Sequence, residues 1–178
     1  MLLVNLFGPP GSGKSTGAAY IFSQLKMAGV NCELVTEYAK DKVWEEAKEP
    51  FRNQAFIFGN QFYRISRVED KVDVVITDSP VLLSLIYNVD RERLGKSFDE
   101  TVINVHKSYK NQFNVFIQRT KQYNVTGRLQ TEEESDEISN KIIDLLSKTY
   151  TPYYAISSKK EDYEEICKLI LKELNKCK

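Results

Sequence analysis

At 178 residues and 42% hydrophobic content, the chain can bury one core and reads as a single domain over 1–178. Its 25 basic and 25 acidic residues cancel, so overall charge gives no case for steering toward nucleic acid or a membrane surface. Cys32, Cys167 and Cys177 are odd in number and lack metal-type spacing, as expected of reduced cytoplasmic thiols, and no run approaches the roughly 20 apolar residues that span a bilayer.

Leu2 to Phe7 reads as a buried strand, too short for a signal peptide, and leads into Gly8-Pro-Pro-Gly-Ser-Gly-Lys-Ser15. That octapeptide is G-x-x-x-x-G-K-S, a phosphate-binding loop. Glycines let successive backbone N–H groups approach phosphate oxygens where a Cβ would clash. Gly8, Gly11, Ser12, Gly13, Lys14, Ser15 and Thr16 are therefore candidate nucleotide-binding residues. Lys14 can place its charge on the β- and γ-phosphates, Ser15 can offer a hydroxyl to Mg²⁺, and the following helix adds its dipole.

Ala18, Ile21, Phe22 and Leu25 at helical spacing predict a helix from this loop to Gly29. Cys32 to Thr36 is a short strand, and a second helix is expected from about Glu37, carrying Val43, Trp44 and Ala47 and ended by Pro50. Phe51 to about Glu69 is helical, its Phe51, Phe56, Phe58, Phe62 and Tyr63 interleaved with Arg52, Gln54, Gln61, Arg64 and Arg67. Not all of those aromatics can be core. Val72 to Thr77 is a buried strand stopping at Asp78-Ser79-Pro80. A short apolar stretch over 81–87, a charged turn from Asp90 to Gly95 and a helix over Phe98 to Phe113 follow, with His106 a surface or packing residue.

Val115-Phe116-Ile117 is the fourth strand, and the polar segment from Arg119 to Gln130 is a loop of the length that is usually functional. Thr131 with Glu134 is a capping box opening a helix that carries Ile138, Ile142, Leu145 and Leu146. Tyr153 to Ser157 is the fifth strand; Ser158 with Glu161 repeats the capping signal before a helix striped by Tyr163, Ile166, Cys167, Ile170 and Leu174. Strands alternating with helices predict an α/β fold, a parallel sheet covered on both faces.

Ligands in such a sheet gather at the carboxyl ends of the strands. Asp78 closes the third strand, where a carboxylate can hold Mg²⁺. Glu37 closes the second, where it can take a proton from an acceptor hydroxyl; whether Glu37 or Asp78 is the base stays open. Arg119 closes the fourth and Arg128 follows in the polar loop, both suited to the charge that phosphoryl transfer spreads over equatorial oxygens. Lys121 and Tyr123 are weaker candidates. Gln61 can read a planar base through paired hydrogen bonds, and Arg64 can meet a substrate phosphate.

Taken together, the P-loop, Glu37, Gln61, Arg64, Asp78-Ser79-Pro80 and the segment from Arg119 to Arg128 resemble the P-loop nucleoside and nucleotide kinases. The resemblance is strongest to the small ATPase/kinase branch that includes nicotinamide-riboside kinase domains and phage-encoded relatives. It implies a three-layer P-loop NTPase fold with a five-stranded parallel sheet ordered 2-3-1-4-5, a lid over about 119–131, use of ATP and Mg²⁺, and a cytoplasmic setting, the host's for a phage protein. By that likeness Glu37 matches the family's acidic position and Arg128 a lid arginine. Deoxynucleoside kinases usually carry an arginine after the third-strand carboxylate; here Ser79-Pro80 stands instead, which weakens transfer of their specificity.

A monophosphate acceptor is already ionised, whereas a hydroxyl gains from a base, so Glu37 favours a hydroxyl. The expected activity is ATP-dependent phosphorylation of a nucleoside-like hydroxyl. The alternatives are a phage-type kinase of a hydroxymethylated pyrimidine in DNA, a nucleoside-monophosphate kinase, and an ATPase switch. Monomer and homodimer are both open.

Overall fold

The computed structural model describes residues 1–120 and 130–176. In chain order these form β1 (Leu2–Phe7), α1 (Lys14–Met27), β2 (Cys32–Val35), α2 (Tyr38–Trp44), α3 (Gln54–Ser66), β3 (Val74–Thr77), α4 (Arg91–Ser108), β4 (Gln112–Ile117), α5 (Glu132–Lys148), β5 (Tyr154–Ile156) and α6 (Lys160–Lys176), with 3₁₀ turns at Glu49–Arg52 and Val81–Leu85. The five strands make one parallel sheet in the order β2-β3-β1-β4-β5, as expected. Val4 pairs with Ile76 on one side and Phe113 on the other, so the strand that feeds the P-loop is central.

Every residue of β1 is buried because the pleat sends alternate side chains into two separate cores. Leu3 and Phe7 join Phe58, Ile65, Val102, Ile142 and Leu146 from α3, α4 and α5; Leu2, Val4 and Leu6 join Ala18, Ile21, Leu25, Ile166 and Ile170 from α1 and α6. At ~1.5–3 kcal/mol for each fully buried aliphatic side chain, these two layers hold the sheet between helices. Asn5 is a buried polar exception on β1, and its amide donates to Gln112 Oε1 (3.1 Å) and Asn114 Oδ1 (2.9 Å) on β4. Gly17 permits the α1–α6 contact: a Cβ there would lie 2.5 Å from the Tyr163 ring.

The boundaries differ where local signals competed with tertiary contacts. Pro50 does not end α2, which stops at Trp44; it opens the 3₁₀ turn that leads to α3. Asp90 to Gly95, expected as a turn, is instead the N-cap and first turn of α4, broken at Gly95 (φ 63°, ψ −174°), and that helix ends at Ser108 rather than running on to Phe113. Ser158 is not the cap of α6. It is buried, with its hydroxyl 3.2 Å from Thr120 Oγ1. The Thr131–Glu134 capping box is present with both of its hydrogen bonds. Cys32 and Cys167 are buried, His106 is a buried packing residue, and Cys177 lies outside the described residues. Among the described residues no helix is long and apolar enough to cross a membrane.

Candidate active site

The loop between β1 and α1 is held open for an anion. Gly8 adopts φ 148°, and a Cβ on it would come within 2.6 Å of both the Ile117 carbonyl oxygen and Ser12 Oγ, so only glycine fits. Helix α1 starts from Gly13 in the left-handed region, with no side-chain cap and no acidic residue in its first turn. Its leading N–H groups and dipole thus face the loop with no competing carboxylate. Ser12 Oγ is fully buried in that loop and has no hydrogen-bond partner among the described residues. Lys14 Nζ lies across the loop, donating to the Gly8 (2.7 Å) and Pro9 (3.0 Å) carbonyls. A cradle closed to a Cβ at Gly8, with a buried hydroxyl that has no partner among the described residues, fits a phosphate tail.

Beside it opens a cavity of about 600 Å³, lined by Gly11, Gly13, Lys14, Ser15 and Thr16 from the loop and by Glu37, Gln61 and Asp78 from neighbouring elements. A larger cavity of about 1060 Å³, lined by Met1, Lys110 and Tyr154 among others, opens at the amino-terminal ends of the strands. It contains none of the phosphate-binding residues, so the chemistry belongs to the smaller one. Asp78 is buried at the tip of β3, and its Oδ1 accepts from the Glu37 N–H at 2.9 Å, tying the tips of β2 and β3 together. Burial pushes the Glu37 carboxyl above the ordinary glutamate value; Lys14 pulls it down and Asp78 pushes it up further. Lys14, Glu37 and Asp78 therefore share one electrostatic site. Ser15 and Asp78 are the residues that could hold Mg²⁺: both offer hard oxygen donors, and Mg²⁺ needs only one or two protein groups when phosphates supply the rest. Among the described residues no cluster of three or more His, Cys, Asp or Glu forms a metal cage.

The arginines are placed differently from what their strand-tip positions suggest. Arg119 does not line the cavity; its guanidinium bonds Glu132 Oε1 (2.5 Å) and Asp136 Oδ1 (2.5 Å) on the first turns of α5. Arg128, Lys121 and Tyr123 lie outside the described residues. Arg64 is bound to Asp41 Oδ2 (2.5 Å), donates to the Thr36 carbonyl (3.4 Å) and sits over the Tyr38 ring, so it does not present a free cation to an acceptor phosphate. Gln61 is buried with its carboxamide engaged: Oε1 accepts from the Tyr38 N–H (2.8 Å), and Nε2 faces the Thr36 carbonyl (3.5 Å) and Thr77 Oγ1 (3.4 Å). The expectation that it reads a base does not fit an amide already bonded on both ends.

The glutamine that fits that task is Gln54, one heptad earlier on the same face of α3. It is only 4% exposed, lines the cavity, and its carboxamide has no hydrogen-bond partner among the described residues. Around it stand Val43, Phe51, Ile57, Leu83, Ser84 and Tyr87, an apolar slot with few polar groups, while Trp44 stands at the rim, 62% exposed. The seven-residue spacing on α3 was readable; which of the two amides stays unbonded was not. Nor did the sequence signal Ser135, whose buried hydroxyl reaches from α5 to donate to the Pro10 carbonyl at 2.8 Å, 125 positions away.

The model of the AAA domain family matches residues 3–165, nearly the whole chain. The chain belongs to the AAA domain family. Solved structures share its P-loop NTPase fold over the same extent. A deoxyadenosine kinase from M. mycoides, determined with dCMP and a flexible dCDP bound, is 16% identical with a TM-score of 0.58, covering 98% of this chain and 100% of that one. The same enzyme with bound dATP gives 19% identity and a TM-score of 0.54 over equal shares. No curated protein matches this AAA domain in sequence.

Proposed function

We propose that this AAA domain is an ATP-dependent phosphotransferase that moves the γ-phosphate to a hydroxyl of a nucleoside-like acceptor. The observation that carries the reading is the convergence of Lys14, Glu37 and Asp78 on one cavity, next to an apolar slot that ends in the Gln54 carboxamide. The loop N–H groups and Lys14 hold the triphosphate, and Lys14 leaves the Gly8 and Pro9 carbonyls to do so. Mg²⁺ at Ser15 and Asp78 would neutralise charge on the β- and γ-oxygens. The acceptor's planar ring enters the slot against Phe51 and Tyr87, where Gln54 offers it a donor and an acceptor together. Glu37 takes the hydroxyl proton as the acceptor oxygen bonds to the γ-phosphorus and the bond to the β-bridging oxygen breaks, releasing ADP. The fold shared with a deoxyadenosine kinase supports the same assignment. Arg119 and Arg128 are proposed to meet the transferring phosphoryl group, Arg119 by leaving Glu132 and Asp136.

Two observations weigh against a monophosphate acceptor. Arg64 and Arg52 are paired with Asp41 and Glu49, and Glu37 would repel a second phosphate. The exposed indole of Trp44 favours one second reading, a modified pyrimidine presented by a DNA strand that stacks on the rim. A labelled-ATP screen over nucleosides, nicotinamide riboside, nucleoside monophosphates and hydroxymethylated DNA separates these. Label appearing on a free nucleoside-like acceptor is the expected outcome. Phosphate release from ATP at full rate with no acceptor present would make the domain an ATPase switch instead.

A further inference from the structure

Helix α2 carries the candidate base at its entrance, yet none of its seven residues is fully buried. Hydrophobic burial therefore does not fix where Glu37 points. What does hold this helix is a set of directional contacts from the tip of β3 and from α3. The Glu37 N–H is bound by Asp78 and the next one, on Tyr38, by Gln61 Oε1. The other end of the Gln61 amide is anchored between the Thr36 carbonyl, just past β2, and Thr77 Oγ1, at the end of β3. The Tyr38 ring is packed edge-on against Phe56 (5.7 Å) and lies under the Arg64 guanidinium (4.9 Å), which also grips Asp41 one turn along α2.

We infer that Gln61 is a positioning residue for Glu37, bracing the first turn of α2 against the tips of β2 and β3, and that Arg64 serves the same bracket rather than an acceptor phosphate. The inference rests on the proposed base role of Glu37 for its catalytic consequence and on the observed hydrogen bonds for its structural one. Side chains that aim a reacting group are held by such outer contacts, and a displacement of about 1 Å costs up to a hundredfold in rate. A brace and a substrate reader differ in what they change. A reader's loss raises the acceptor KM, whereas a brace's loss lowers kcat and leaves both KM values in place.

The test replaces Gln61 with Met, which keeps the volume and removes all three hydrogen bonds, and with Glu, which keeps the acceptor for Tyr38. Gln61→Met is expected to lower kcat roughly tenfold or more, with KM for ATP and acceptor within about threefold, and Gln61→Glu to recover part of the loss. In a Glu37→Gln background Gln61→Met should add nothing further, since its effect passes through Glu37. The backbone N–H groups of Glu37 and Tyr38, followed by hydrogen exchange in the acceptor-free protein, should both exchange faster in Gln61→Met, because the turn that presents them loses its brace. A rise in acceptor KM with kcat intact, an additive double variant, or unchanged exchange at Glu37 and Tyr38 overturns the inference. The exchange arm stands even where Glu37→Gln leaves turnover unchanged, an outcome that removes the base assignment but not the bracket.

Discussion

Glu37 is where chemistry and stability pull apart. Its folded-state carboxyl sits above the ordinary value, chiefly through burial, so the folded chain holds that proton more tightly than the unfolded one does. Stability from this group is complete below the ordinary glutamate pKa and is lost as pH rises through the folded value. Glu37→Gln should accordingly raise Tm at neutral pH and leave it unchanged near pH 4, while lowering the transfer rate on the order of a hundredfold or more. Paired melts at the two pH values and single-turnover rates check both halves. His106 titrates with the opposite sign. It is buried on α4 with Nε2 3.2 Å from Thr151 Oγ1 and Nδ1 without a partner among the described residues, and burial lowers it from 6.5 to about 4. Above pH 6.5 both states are neutral. Between 6.5 and 4 only the unfolded chain takes the proton, so stability should fall through that window by on the order of 3 kcal/mol, measured as denaturant midpoints against pH. His106→Gln should flatten that slope.

At the level of elements, α5 ties two parts of the site together. Its capped first turns hold Arg119 at the end of β4 through Glu132 and Asp136, and its Ser135 holds the P-loop through the Pro10 carbonyl. One helix end therefore fixes both the phosphate cradle and the start of the 119–131 segment. Removing the hydroxyl takes the donor from the half-buried Pro10 carbonyl, at a cost of about 0.5–1.5 kcal/mol. Ser135→Ala should show that loss in denaturant melts and raise the KM for ATP several-fold with kcat nearly unchanged, because the loop distorts before any acceptor is involved. Equal kinetic constants in the variant would reduce Ser135 to a packing residue. The 3₁₀ turn at Glu49–Arg52 has its own role: it sets Phe51 and the start of α3 so that Gln54 faces the slot.

Over the whole molecule, the two cores clamp a sheet whose carboxyl ends carry the site, and binding should be felt globally. ATP with Mg²⁺ at about 100 times Kd should stabilise the fold by about 2.7 kcal/mol, or roughly 5–10 °C in Tm at this chain length. Lys14→Met should lose that gain together with turnover while keeping its ligand-free Tm within a few degrees, as thermal melts with and without nucleotide will read. A persistent nucleotide shift in Lys14→Met would mean that backbone N–H groups alone bind the phosphates.

The sequence by itself determined the layers and the site's charged ends. Buried strands, helical stripes, the capping box at Thr131 and the glycine-lysine loop are each written within a dozen neighbouring residues, and parallel-sheet geometry then puts Lys14, Glu37 and Asp78 at one end. Tertiary structure decided which polar side chains remain unbonded. Gln54 and Gln61 are equivalent by spacing, and Arg64 and Arg119 look alike as free cations, until Tyr38, Asp41, Glu132 and Asp136 arrive from other elements and claim their hydrogen bonds. A hydrogen bond is short and directional, so its partner is set by where distant segments come to rest, whereas burial of apolar surface is set by pattern along the chain.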